Sequence, residues 1–180
     1  LPEELTTPEH ACERRIAVRF GIRNEGRPAD SWLAEVVRWM KRLNAGAAQL
    51  AREFNLRSAT DITGYSLLGH GWEMASASGG GFRLRYERIP FVSAARRYAE
   101  AYTFPGGAAD NCLFFEQHVH FARNIDEASR MLLFDPQTSG GLLMAVPAEK
   151  ISVLLNRAVQ LEQPAWVIGE VIQGDAIEVV

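Results

Sequence analysis

Two stretches of this sequence carry residue types that can do chemistry at a turn. Ala59 to Met74 reads ATDITGYSLLGHGWEM, with Asp61 at an expected strand-to-helix junction, hydroxyls at Thr60 and Thr63, and glycines at Gly64 and Gly69. A carboxylate so placed can ligate Mg2+, and a nearby glycine lets a phosphate-bearing ligand approach the backbone. The same residues also fit a purely structural purpose, with Asp61 capping the helix and the glycines permitting close packing. One carboxylate does not make a Mg2+ site, so other ligands or ligand phosphates have to complete it.

The second stretch is LLFDPQTSGGLLMAVP, Leu132 to Pro147, where turn-forming residues interrupt two apolar runs. Pro136 bars a regular helix and holds Asp135 towards extended geometry. Gly140 and Gly141 allow positive φ or close approach. Amides and hydroxyls of Thr138, Ser139, Gly140 and Gly141 can cradle an anion in a nest. The alternative is a plain helix-to-strand connection. No Gly-Lys-Ser/Thr follows, so this is not a P-loop, and no dinucleotide fingerprint is present.

Weaker signals lie elsewhere. SGGG (78–81) and PGG (105–107) read as turns. His118 and His120, with Cys112 upstream, would share a face on a strand and form a metal pair, but no third ligand has a recognised spacing. Cys12, beside His10 and two arginines, fits either a thiol of lowered pKa or an ordinary cysteine.

Bulk properties narrow the setting. The chain has 180 residues, 47% of them hydrophobic, which suffices for a real core. A formal charge of −3 argues against a phosphate-backbone binder, so no nucleic-acid partner is expected. Two cysteines are no disulfide scaffold, and a reducing, cytoplasmic setting is the default. No apolar run approaches the roughly 18–20 residues that span a bilayer, so no membrane is expected. The first ten residues lack the basic and apolar regions of a secretory signal.

The elements that must position these stretches follow from periodicity. Residues 1–30 are weakly patterned, and ERRIAVRF fits a short helix or a strand. Helical spacing of Trp32, Val36, Trp39, Met40, Leu43, Ala47 and Leu50 predicts one long helix over 31–54, loosened at Gly46. A short extended piece ends at Thr60-Asp61, and a helix opens near Gly64 and stops at Gly79. Alternation of Phe82, Leu84 and Tyr86 with Arg83, Arg85 and Glu87 predicts a half-buried strand. A helix follows Pro90, then a turn-rich loop over TFPGGAADN, then an ambiguous stretch, 112–121, read as a strand. NIDEASRMLLF predicts a helix starting near Asn124 or Asp126, and GLLMAVP a buried strand. The next helix turns Ile151, Leu154, Leu155 and Val159 inward. Two closing strands, AWVIGEVI and AIEVV, are joined by QGD as a hairpin. Helices and strands mixed in this order give an α+β class.

Taken together, TDITGYSLLGH (60–70) and DPQTSGGLL (135–143) closely resemble the selenophosphate synthetase (selenide, water dikinase) family. That family sits within the wider aminoimidazole-ribonucleotide-synthetase-like superfamily of ATP-using enzymes. KRLNAGAAQLA, FPGGAADN and IGEV are similar to it too, so the likeness runs from Trp39 to Val180. It is to the family's C-terminal half only, because the N-terminal domain with its reactive Cys or selenocysteine, its Lys and its acidic cluster is not recognisable. The resemblance implies an α+β domain with a mixed β-sheet flanked by helices, over 31–180, behind a poorly patterned extension, 1–30. It implies a part of an enzyme that turns ATP, selenide and water into selenophosphate, AMP and phosphate, with the chain by itself inactive. Asp61 is the implied metal ligand. Thr60, Thr63, Gly64, Thr138, Ser139, Gly140 and Gly141 are the implied cofactor-binding residues, with no catalytic residue in the chain. ATP and Mg2+ would be bound mainly by the missing N-terminal domain, the expected partner, in a homodimer. The family's Phe-Gly is Tyr65-Ser66 here, and serine has less freedom than glycine at positive φ. The alternatives are a non-catalytic binding or assembly module of the same fold, or another ATP-using enzyme of the superfamily.

Overall fold

A computed structural model describes residues 15–20 and 32–180. Its strands are β1 (Arg15–Phe20), β2 (Ala59–Asp61), β3 (Gly81–Leu84), β4 (Val119–Phe121), β5 (Leu142–Pro147), β6 (Trp166–Ile172) and β7 (Ile177–Val179). Its α-helices are α1 (Trp32–Met40), α2 (Ala45–Glu53), α3 (Ser66–Ala77), α4 (Ala95–Glu100), α5 (Gly106–Phe115), α6 (Glu127–Leu133) and α7 (Ile151–Gln160). The strands form one seven-stranded sheet in the order β2-β5-β1-β6-β3-β7-β4. β3 and β4 run parallel to β7, and the remaining pairs are antiparallel. The fold is α+β with a mixed sheet flanked by helices, as the sequence predicts.

The apolar run in β5 divides two cores. Leu143 joins Leu67, Leu68, Phe82, Phe134, Ile168 and Ile177 in one cluster. Met144 and Val146 join Ala47, Leu50, Leu154 and Ala158 in the other. Successive side chains of a strand point to opposite faces, so a strand buried on both sides reads as a continuous apolar run. The helix expected to end at Gly79 does so. Gly79 sits at φ +64, its amide donates to Ser76, and the Gly80 amide donates back to Ala75. Asp126 caps α6 by accepting from the amide and hydroxyl of Ser129. Among the described residues, no helix is long and apolar enough to cross a membrane.

Several expectations change. The boundary drawn before residue 31 cuts through the sheet, because β1 lies between β5 and β6. The long helix over 31–54 is two helices. Arg42 turns back in a tight bond to Trp39, and α2 restarts with the Ala48 amide on Asn44. The break re-aims the chain. Glu35 of α1 accepts from Ser93, whereas Ala47 and Leu50 of α2 pack into the second core.

TFPGGAADN is a loop only as far as Pro105. Pro105 opens α5, and Ala108, Asn111 and Phe115 recur on its buried face, which outweighs the poor helix propensity of its two glycines. Residues 112–121 finish that helix, make a 3-10 turn at 116–118 and only then become strand. Val159 faces solvent at 77% exposure, and Ala158 takes the inward position. The closing strands are no hairpin, since β3 lies between β6 and β7 and the Phe82 amide bonds to Ala176.

These faces give opposite mutational outcomes. Leu154→Ala is expected to lose about 2–5 kcal/mol of stability, the range for emptying a buried leucine site. Val159→Ala should stay within about 0.5 kcal/mol. Urea midpoints of the two variants, beside wild type, check the pair.

Candidate functional site

The two chemistry-bearing stretches meet at one end of the sheet. β2 pairs with β5 through Ala59–Met144, Thr60–Leu143 and Asp61–Leu142. Past Asp61 the ladder does not stop. The Ile62 amide donates to the Gly141 carbonyl at 2.8 Å, and the Gly140 amide donates to the Ile62 carbonyl at 2.9 Å. One step further, the Gln137 amide donates to the Thr63 carbonyl at 3.0 Å. This closeness dictates glycine at 140, where a Cβ would lie 2.7 Å from the Ile62 oxygen. Gly141 follows at φ +88, a conformation that favours glycine.

Asn111 locks the junction from α5. Its buried Nδ2 donates to the Gly64 carbonyl at 2.8 Å and to the Phe134 carbonyl at 3.0 Å. Each proton of one amide group thus holds one stretch. Sequence reading placed Asn111 in a loop. Its signal was the helical spacing of Ala108, Asn111 and Phe115, hidden by the Pro-Gly-Gly before it.

The start of α3 carries a polar chain. The Thr63 hydroxyl lies 2.9 Å from His70 Nε2, and His70 Nδ1 lies 3.0 Å from Glu73 Oε2. The Tyr65 amide donates to the same Nε2 at 3.3 Å. His70 and Glu73 were also missed. Their signal was an i,i+3 pair on a helix whose histidine sits one turn past the junction. Ser66, by contrast, is strained. It sits at φ +65, is fully buried, and its hydroxyl has no hydrogen-bond partner among the described residues.

The expected site residues fall into two groups. Asp61 is exposed at the end of β2, with Thr60 half-buried beside it. Gly64 is exposed, and open space surrounds its Cα where a Cβ would point. Thr138 and Ser139 line a cleft of ≈ 280 Å³ with Asp135, Gln137, Leu67 and Phe91, and Asp61 is not among its lining residues. Burial pushes the Asp135 carboxyl above the usual carboxylate range, and donation from Gln137 partly opposes this. The Gly140 amide is committed to Ile62, so that amide is no anion donor. The described residues contain no group of three or more His, Cys, Asp or Glu able to hold a metal. Asp61 therefore offers one carboxylate and not a complete Mg2+ site.

The weaker candidates do not converge. His118 leaves the strand and stacks on Trp72 at 4.0 Å between ring centroids, while His120 points to solvent from β4. Burial and the neighbouring Glu116 carboxylate push the Cys112 thiol up, the reverse of what a nucleophile needs. Cys12 and His10 lie outside the described residues.

Comparison with known proteins agrees with this architecture. Residues 15–180 match the family model described as AIR synthase related protein, C-terminal domain. A selenide, water dikinase of Pelobacter propionicus is 41% identical over 172 residues, covering 94% of this chain and 47% of the relative. One from Nitratidesulfovibrio vulgaris is 35% identical over 144 residues, covering 80% of this chain and 41% of the relative. The chain thus spans less than half the length of these two relatives. T. maritima PurL complexed with AMPPCP shares the fold at a TM-score of 0.54 and 14% identity, covering 93% of this chain and 23% of that one.

Two variants test the junction. Ser66→Gly relieves a left-handed serine and removes an unsatisfied hydroxyl, so it is expected to stabilise the chain by about 1–2 kcal/mol. Asn111→Ala leaves two carbonyls without their donor and is expected to cost about 1–3 kcal/mol. Equilibrium urea unfolding reads both. A serine variant no more stable than wild type would refute the strain argument.

Proposed function

Because the chain belongs to the AIR synthase related protein C-terminal domain family, we propose that it is the C-terminal domain of an ATP-dependent selenophosphate synthetase. With an N-terminal domain it would convert ATP, selenide and water into selenophosphate, AMP and phosphate, in the cytoplasm and as a homodimer. The observation that carries this reading is the junction itself. TDITG and DPQTSGG are zipped together by backbone hydrogen bonds and present Asp61 at their exposed edge. Relatives that match the chain include selenide, water dikinases, and a protein of the same fold has been solved with the ATP analogue AMPPCP.

In this reading the chain supplies position more than chemistry. Phosphoryl transfer depends on charge neutralisation and alignment of the phosphates. Asp61 would contribute one carboxylate towards Mg2+, which neutralises phosphate charge when bound; the remaining ligands would come from the N-terminal domain and the nucleotide. The open face at Gly64 gives phosphates room to approach. Thr60, Thr138 and Ser139 would place hydroxyls around the domain boundary. The rigid junction keeps all of them in register, because ladder bonds and the Asn111 clamp leave the turn little freedom. The chain by itself, holding one metal ligand, is expected to turn over no ATP.

One observation favours a second reading, a non-catalytic module of the same fold. Ser66 carries strain in the motif where the resembling family has glycine. The deciding assay uses the chain joined to its N-terminal half, with ATP, Mg2+ and selenide, following AMP release and selenophosphate by phosphorus NMR. Selenide-dependent AMP release is expected. Asp61→Asn should lower it roughly 10²-fold, the scale for losing one electrostatic stabiliser. An intact two-domain protein that makes no selenophosphate would leave the module reading standing.

A further inference from the structure

The polar chain at the start of α3 has a fixed direction. A backbone amide can only donate, so the bond from the Tyr65 amide requires a lone pair on His70 Nε2. A neutral imidazole carries one proton, and it is then on Nδ1, which donates to Glu73 Oε2 at 3.0 Å. The Thr63 hydroxyl sits 2.9 Å from the same unprotonated Nε2, so the hydroxyl is the donor. A threonine hydroxyl has one proton and two lone pairs. With the proton spent on His70, only the lone pairs remain for anything that approaches from outside. His70 is held in place, its side chain only 14% exposed, while Glu73 lies towards solvent. The backbone of Thr63 is fixed too, its carbonyl accepting from both Ser66 and Gln137 at 3.0 Å.

We infer that Glu73 and His70 are positioning residues that hold the Thr63 hydroxyl with its lone pairs outward, so that it faces a proton donor or a cation and not a phosphate oxygen. This narrows the expectation that Thr63 is a cofactor-binding residue. The hydrogen-bond direction stands on this chain alone. The nature of the ligand rests on the proposed function, under which water and hydrogen selenide are the protic nucleophiles.

The test has two arms. In the first, long-range proton–nitrogen correlation on this 15N-labelled chain reads the His70 ring, assigned by the signal lost in His70→Gln. The expected spectrum shows a protonated Nδ1 and an unprotonated Nε2. Thr63→Val, which keeps the branched shape, should shift Nε2 while leaving the proton on Nδ1. Glu73→Gln should drive the ring towards a tautomer mixture. A ring protonated at Nε2 in the wild type would overturn the inference.

The second arm uses the chain joined to its N-terminal half. Thr63→Val should lower kcat roughly 10–100-fold, the scale for losing an orienting group, with KM for ATP unchanged, and Thr63→Ser should restore turnover. A rise in KM for ATP with kcat intact would show a phosphate contact and overturn the ligand assignment. If the two-domain wild type has no selenide-dependent turnover, the functional reading fails, and the first arm still decides the hydrogen-bond direction.

Discussion

The close approach of Gly140 to the Ile62 carbonyl is the contact on which the candidate site depends. A ladder between β2 and β5 would ordinarily end where the strands part. Here the pairing continues through Ile62, Gly140 and Gly141, and then through Thr63 and Gln137. Ile62 is fully buried, so the two turns share an apolar anchor as well as hydrogen bonds. Any side chain at 140 would push the turns apart by collision with backbone, which cannot yield as a flexible side chain can.

That contact explains why seven turn-forming residues sit between two apolar runs. The DPQTSGG segment is not spare connection. Its amide at 140 satisfies the carbonyl of the buried Ile62, and its amide at 137 shares the Thr63 carbonyl with the Ser66 amide. Asn111 extends the same economy, since one buried amide group satisfies two carbonyls from different segments. Three distant pieces of chain are therefore one rigid unit, and Asp61 and Thr63 inherit their positions from it. Thr63 is fixed most fully, through its carbonyl on one side and His70 on the other.

The strained Ser66 belongs to the same unit. Helix α3 starts immediately after a turn whose atoms are held by Gly64, Thr63 and His70, and the chain enters the helix through φ +65. A residue in that conformation persists where surrounding contacts over-determine it. Leu67 and Leu68, both buried in the first core, provide those contacts.

Much of this was legible in the order of residues. Alternation marked β3 as far as Leu84, past which 86–88 form a 3-10 turn, a continuous apolar run marked β5, and start and stop residues marked α3 and α6. The two motifs and the departure at Ser66 were likewise visible, since turn residues act locally through φ and missing donors. The break between α1 and α2, the helix α5 that begins with the two glycines of Pro-Gly-Gly and the insertion of β3 between β6 and β7 were not. Each is decided by which distant surface covers the segment, and local propensity carries no record of that. Position 158 faces the core and 159 solvent for the same reason: the sheet beneath α7 sets the helix's rotation. The sequence by itself determined that two glycine-bearing turns and an acidic strand end exist. Only the tertiary structure decided that they touch, that Asn111 clamps them and that His70 spends the Thr63 proton, because hydrogen bonds between segments depend on distance in space and not along the chain.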